Sequence, residues 1–123
     1  MCDFRGFVAP EMVKTRPVVV ISPNHMHRPG LITVVPLSTT PPNPVEAYHY
    51  CLKGNPVPGS YDVVWAKCDM VVTIRIERLE RIRLERGNFE TGHISMEQVR
   101  EIRLKASYSL GVDLSTSNPQ TNN

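Results

Sequence analysis

Arg16 and Pro17 stand at the entrance to a run of four β-branched residues, 18–21. A guanidinium remains protonated near neutral pH and offers a rigid fork of donors, which suits an anionic group such as a phosphate. Pro17 lacks a backbone donor and fixes φ, which a sheet tolerates at a strand's first residue. The pattern predicts a fixed cation at the mouth of a buried strand, with a solvated strand-entry charge as the alternative.

Other polar groups are spaced along the chain in a way that would complete a phosphate-cleaving site. Glu11 lies five residues before Arg16, hydroxyls follow a second apolar run at residues 38–40, and Lys67 and Asp69 follow a third. A carboxylate near a basic residue is suited to general base catalysis, and hydroxyls can donate to phosphate oxygens. These residue types indicate acid–base chemistry on an anionic substrate.

Taken in order, these motifs resemble those of the MazF/PemK/Kid family of toxin ribonucleases. The resemblance covers roughly residues 3–110, and four weak motifs in family-like order make it specific. The matching elements are Glu-x-x-x-x-Arg-Pro from Glu11 to Pro17, Val-x-x-Ser-Pro from Val19 to Pro23, Val-Pro-Leu-Ser-Thr from Val35 to Thr39, and Cys68-Asp69 followed by Thr73-Ile74.

The resemblance implies a fold and a function. The fold is mainly β with a C-terminal helix, an SH3-like small barrel of the Kid/MazF/CcdB type that assembles as a homodimer with an RNA groove at the subunit interface. The function is that of a type II toxin-antitoxin toxin: a sequence-selective, metal-independent endoribonuclease that cleaves single-stranded mRNA. Attack by the 2′-OH would leave a cyclic phosphate, and a cognate antitoxin would inhibit the enzyme.

The resemblance also implies roles for individual residues. Arg16 would stabilise the charged phosphate, Asp69 would act as general base, and Glu11 would orient Arg16 or assist proton transfer. The hydroxyl ligand is ambiguous by one position: counting from Pro36 indicates Ser38, whereas counting the Thr-Thr pair indicates Thr39, which we favour slightly.

Further residues are expected to contact RNA. Lys67 occupies the position at which Kid-like toxins carry an arginine that acts as general acid. Lysine keeps the positive charge but loses the bidentate fork of donors. Lys14 would add a second cation, and Tyr48, Tyr61 and Phe7 would offer rings on which bases can stack. His49 is interpreted as an isolated surface or packing residue.

Two rival functions remain on the same fold. A CcdB-like gyrase poison would need an aromatic anchor at the extreme C-terminus, and residues 118–123 contain none. A catalytically inactive barrel that binds RNA or a partner is motivated by Lys67 and by the first strand. Because only Met1 and Cys2 precede the matching segment, that strand is expected either to be shortened or to start at another codon.

Composition restricts the class of protein. The 123 residues fit one domain, and the net charge of +2 is too small to diagnose nucleic-acid binding, so any polyanion site must be local. No segment predicts a bilayer span or a secretion signal, so a cytoplasmic location, in a bacterium, is expected. The three scattered cysteines predict neither disulfides nor a zinc site, and the chemistry requires no metal or cofactor.

Periodicity predicts the elements that must position these residues. Strands are expected at 18–21, 31–37, 47–52, 63–66 and 71–76, with an edge strand at 82–84. Ser95 and Gln98 form a capping-box signature before a helix that buries Val99, Ile102, Ala106 and Leu110 and stops at Gly111. Residues 1–112 are therefore expected to form a single toxin domain, and residues 113–123 a disordered polar tail.

Overall fold

The predicted strands and helix are present in the computed structural model, with ends shifted by a few residues. The structure describes residues 1–4, 6, 16–23, 28–79, 82–83, 89–90 and 92–112. The elements are β1 (Val18–Val20), β2 (Leu31–Ser38), β3 (His49–Cys51), β4 (Trp65–Lys67), β5 (Val72–Arg75), a 3₁₀ turn (Ile76–Arg78), β6 (Ile82–Arg83), β7 (Phe89–Glu90) and α1 (Met96–Ser109). Strand β7, which pairs with β6, was not expected from the sequence.

Strand β2 is the centre of the sheet, and all its neighbours are antiparallel. β1 lies along one edge, with Val18 opposite Pro36. The other edge is divided, because β5 pairs with residues 31–34 whereas β4 pairs with residues 37–38. β3 then adds to the outside of β4, giving the order β1-β2-β4-β3 with β5 also on β2. One long strand is thus shared by two diverging parts of the sheet.

Pro36 lies where β2 changes its neighbour. The Leu37 N–H donates to the Pro17 carbonyl at 2.9 Å, so the backbone polar groups of Leu37 point towards β1. Because these groups alternate in direction along a strand, those of Pro36 point to the divided edge, between the last β5 pair and the first β4 pair. A proline, which has no donor, is tolerated at this position because no ladder partner is required there.

Two apolar cores lie on opposite faces of β2, which explains why its sequence is apolar almost throughout. Alternation sends Val34 to one face and Val35 to the other. The core on the helix side contains Val19, Val35, Leu37, Leu52, Val64, Ala66, Cys68, Val99, Ile102 and Ala106. The inner core, enclosed by β1, β2 and β5, contains Cys2, Phe4, Ile32, Val34 and Ile74.

Cys2 links the two ends of the curled sheet. Cys2 forms β-bridges with both Arg16 and Leu79. Its N–H donates to the Arg16 carbonyl at 2.6 Å and its carbonyl accepts the Arg16 N–H at 3.0 Å. The predicted fold, mainly β with a C-terminal helix, is confirmed. Within the described residues the SH3-like barrel is not closed, because its two ends are linked there by the bridges at Cys2.

The helix begins as predicted, although only half of the capping box forms. The Ser95 hydroxyl accepts the Gln98 N–H at 3.2 Å. The Gln98 side chain turns away from the cap and accepts the Lys53 N–H at 2.7 Å and the Tyr50 hydroxyl at 3.3 Å. These two contacts fix the start of α1 against β3.

The buried face of α1 is shorter than predicted. Val99, Ile102 and Ala106 are buried, whereas Leu110 is 76% exposed. The helix has ended at Ser109, so Leu110 no longer continues the helical face. No helix in the described part of the chain has the length and apolarity to cross a membrane. The predicted tail at residues 113–123 lies outside the described residues.

Truncation of Ile102 tests the packing of α1. Ile102 is fully buried, so Ile102→Ala should lower the free energy of unfolding by about 2–5 kcal/mol in urea titrations. Leu104→Ala is the matched control, because Leu104 lies on the same helix and is 42% exposed. Equal losses in the two variants would contradict this packing.

Candidate functional site

Arg16, Ser38 and Trp65 form a row across one face of the sheet. The hydrogen bond from Leu37 to Pro17 extends the β1–β2 register, which places Arg16 opposite Ser38. Ser38 is in turn paired with Trp65 in the β2–β4 ladder. Since residues directly opposite each other in antiparallel strands share a face, the three side chains emerge on the same side.

Arg16 carries a donor that the other described residues leave unused. Its Nε atom is buried and has no hydrogen-bond partner among the residues that the structure describes. A buried donor without an acceptor costs roughly 1–3 kcal/mol, and more when it belongs to a charged group. An external anion that accepted this hydrogen bond would remove that cost.

Ser38 and Thr39 differ in what they can offer at this row. The Ser38 hydroxyl oxygen accepts the Thr40 N–H at 3.1 Å, which leaves its hydrogen available for donation. Ser38 lies on the Arg16 face as the last residue of β2. Thr39 follows the end of the strand and is exposed. The register thus brings Ser38, the alternative that we favoured less, beside Arg16.

Lys67 and His49 form a second row on the same face. They are cross-strand partners in the β3–β4 ladder, and Lys67 lies two residues beyond Trp65 on β4. We call the side bearing Arg16, Ser38, Trp65, Lys67 and His49 the cationic face. Two strand spacings separate the strands that carry Arg16 and Lys67, a distance on the order of 10 Å.

Asp69 lies in a turn that is held by contacts with the helix-side core and with α1. The Met70 N–H donates to the Lys67 carbonyl at 2.9 Å and closes the turn. Between them Cys68 is fully buried in the helix-side core, and its carbonyl accepts the Ser109 hydroxyl at 3.1 Å. The core and the end of α1 thereby hold the turn while Asp69 remains exposed.

The charges of Lys67 and Asp69 are not used internally. Within the described ranges, neither the ammonium of Lys67 nor the carboxylate of Asp69 has a hydrogen bond or an ion pair. This contrasts with the exposed pair Lys53–Glu97, whose atoms lie 3.4 Å apart. A purely structural role, in which the Asp69 carboxylate satisfies its own turn, would need a side-chain hydrogen bond, and none is made within the described residues.

Tyr48 lies within electrostatic range of Asp69. Partial burial, followed by the carboxylates of Asp69 and Glu46, raises the pKa of Tyr48 from its ordinary value. Its ring packs against His49 with centroids 4.6 Å apart. The structure therefore places Tyr48 at the edge of the site, beside Asp69 and His49.

Comparison with known proteins decides the family. A family model described as the PemK-like, MazF-like toxin of type II toxin-antitoxin systems matches residues 1–110. The chain belongs to this toxin family. Toxins of the family are generally endoribonucleases and are paired with an antitoxin. A search of curated proteins gave no match.

Solved structures agree with the fold of this PemK/MazF-like toxin. The Mycobacterium tuberculosis toxin MazF-mt6 superposes with a TM-score of 0.60 at 21% identity, over 84% of this chain and 93% of that one. The crystal structure of an Mtb toxin gives 0.53 at 19% identity, over 76% and 91%. At these identities the likeness shows a common fold.

Two residues of the toxin's cationic face were missed from the sequence. His49 was interpreted as isolated, but it pairs with Lys67 across the β3–β4 ladder and its Nδ1 accepts the Glu46 N–H at 2.9 Å. Trp65 was interpreted only as part of a strand. Both acquire neighbours through cross-strand pairing, which local patterns do not reveal. Three predicted residues, Glu11, Lys14 and Phe7, lie outside the described residues.

The toxin's three thiols should differ sharply in reactivity. Burial raises the pKa of Cys68 from 9.0 to about 12, Asp69 adds to this rise and Lys105 opposes it. Cys2 is also fully buried, whereas Cys51 is exposed. Because the thiolate is the nucleophile, iodoacetamide at pH 8 should modify Cys51 alone in the folded protein, as read by peptide mass spectrometry. Alkylation of Cys68 as fast as Cys51 would contradict the buried turn; urea-unfolded protein, modified at all three, is the control.

Proposed function

We propose that this toxin is a metal-independent endoribonuclease that cleaves single-stranded mRNA with sequence selectivity. The observation that carries the proposal is the buried, unpartnered Nε of Arg16 beside Ser38. A guanidinium held in this way matches the geometry of a phosphate oxygen better than that of a neutral ligand. Family membership supports the same chemistry.

The phosphate would be held from two adjacent strands. Arg16 donates to the nonbridging oxygens and stabilises the charge that develops as the 2′-oxygen attacks phosphorus. The Ser38 hydroxyl, or that of Thr39, donates a further hydrogen bond. Glu11 would orient Arg16, and Lys14 and Phe7 would contact the RNA chain.

Proton transfer would take place at the turn after β4. The exposed carboxylate of Asp69 accepts the proton of the 2′-OH as the new P–O bond forms. The bond to the 5′-oxygen breaks, leaving a cyclic phosphate, and the ammonium of Lys67 stabilises or protonates the departing oxygen. Tyr48, close to Asp69, would contact the ribose or a base.

The same face would also bind the protein partners of the toxin. We expect a second copy of the chain to complete the RNA groove as a homodimer. The antitoxin that the family implies would inhibit the enzyme by placing a disordered segment over Arg16 and Lys67. Release of the toxin in the bacterial cytoplasm would then slow growth by destroying mRNA.

Removal of either charge should abolish most of the cleavage. Arg16→Ala and Asp69→Asn should each reduce the rate of single-stranded RNA cleavage by about 10²–10⁴, measured in excess chelator. Arg16→Lys should restore only part of the activity because the fork of donors is lost. Arg100→Ala and Asp62→Asn, changes of the same charge at exposed positions, should cleave like the unmodified protein.

The products test the mechanism itself. The 5′ fragment should end in a 2′,3′-cyclic phosphate, and replacing the ribose at the mapped position by 2′-deoxyribose should prevent cleavage there. Cleavage of that deoxy substrate would exclude the 2′-OH as nucleophile. RNA binding without cleavage would instead identify an inactive binding barrel, and trapping of gyrase on DNA would identify a poison.

A further inference from the structure

We propose that Trp65 is the stacking platform for the base next to the scissile phosphate. This inference deepens the proposed function and rests on it. It assigns a single residue to base recognition, which neither the family match nor the structural likeness does.

The position of Trp65 on the cationic face is the first argument. It is paired directly with Ser38 on one side and with Cys51 on the other. Lys67 follows two residues later on the same strand and face. Trp65 therefore lies in the same row as Arg16 and next to Lys67 on the cationic face.

The surroundings of Trp65 are the second argument. Its side chain is half-buried and belongs to neither of the two cores. Within the described part of the chain, its indole N–H makes no hydrogen bond and its ring packs against no other ring. A buried tryptophan usually pairs its N–H, so the unpaired indole N–H and the exposed part of the ring remain available to a ligand.

The spacing of the row fits one nucleotide. Neighbouring strands are about 5 Å apart, so a phosphate bound between Arg16 and Ser38 lies roughly one strand from the Trp65 ring. A nucleotide's base is joined to its phosphate through a single sugar, a separation of the same order. Ser38 and Cys51, which flank Trp65, are both small, so a planar base can approach the indole from the open side.

Two other aromatic residues of the described chain, Tyr48 and Tyr61, are placed less well for this role. Tyr48 already packs against His49 at the edge of the face. Tyr61 is 95% exposed and lies in the loop before β4. Trp65 alone among these three lies in the row of Arg16 and Ser38.

Fluorescence provides a direct test, because Trp65 is the chain's single tryptophan. The probe is a 5′-fluorescein-labelled, mixed-sequence RNA dodecamer with 2′-fluoro ribose throughout, which cannot be cleaved by 2′-OH attack. Fluorescein anisotropy reports binding independently, and the unlabelled RNA is used for the emission measurement. Binding should quench the emission of Trp65 along the same saturation curve.

Substitutions test the contribution of the ring. Trp65→Leu should weaken RNA binding and raise KM about 5- to 100-fold, the effect of losing one stacked base, with a smaller change in kcat. Trp65→Phe should recover much of the affinity because it restores a π-face. Tyr108→Leu, at an exposed position on α1, is the matched control and should bind like the unmodified protein.

A base deletion identifies the stacked nucleotide. In RNA with an abasic site beside the mapped cleavage position, Trp65→Leu should cause no further loss of affinity. Unchanged emission at saturating RNA, or equal affinity of Trp65→Leu and the unmodified protein, would overturn the inference while leaving RNA cleavage intact. Quenching by an antitoxin peptide but not by RNA would also overturn it, in favour of a partner site. If no RNA is bound or cut, the proposed function itself fails.

Discussion

The divided edge of β2 is the constraint on which the rest of the structure depends. β2 pairs with β1 throughout its second half, but its other edge passes from β5 to β4 at Pro36. A strand with one neighbour on that edge would extend a single curled sheet around the inner core. The change of neighbour instead opens the second half of the same face, where Ser38, Trp65 and Lys67 are only half-buried.

The charged side chains at this open face are not paired with other described residues. Among the described residues, the Nε of Arg16 is buried without an acceptor, and Lys67 and Asp69 make no ion pairs. Each arrangement forgoes a contact that would stabilise the folded chain. Such unsatisfied groups are typical of binding sites, in which a ligand supplies the missing partner.

Much of the fold could be predicted from the sequence, and less of the site. The β-branched run at residues 18–21 and the Ser95 cap are local signals, and both correspond to real elements. The rows of the cationic face depend on register between distant segments, so the neighbours of His49 and Trp65 had no local signal. The same register brings Ser38, one residue before the threonine favoured from motif counting, beside Arg16. The predicted burial of Leu110 was wrong for a different reason, because the apolar spacing continues past Ser109, where the helix ends.

The two ends of the site, at Arg16 and at Asp69, are held in place by different kinds of contact. Among the described residues, the backbone of Arg16 makes two hydrogen bonds to the backbone of Cys2. Asp69 instead stands on a turn rooted in the helix-side core and tied to α1. The backbone of Arg16 is therefore positioned by strand pairing, whereas the turn that carries Asp69 is positioned by the packing of the helix-side core and α1.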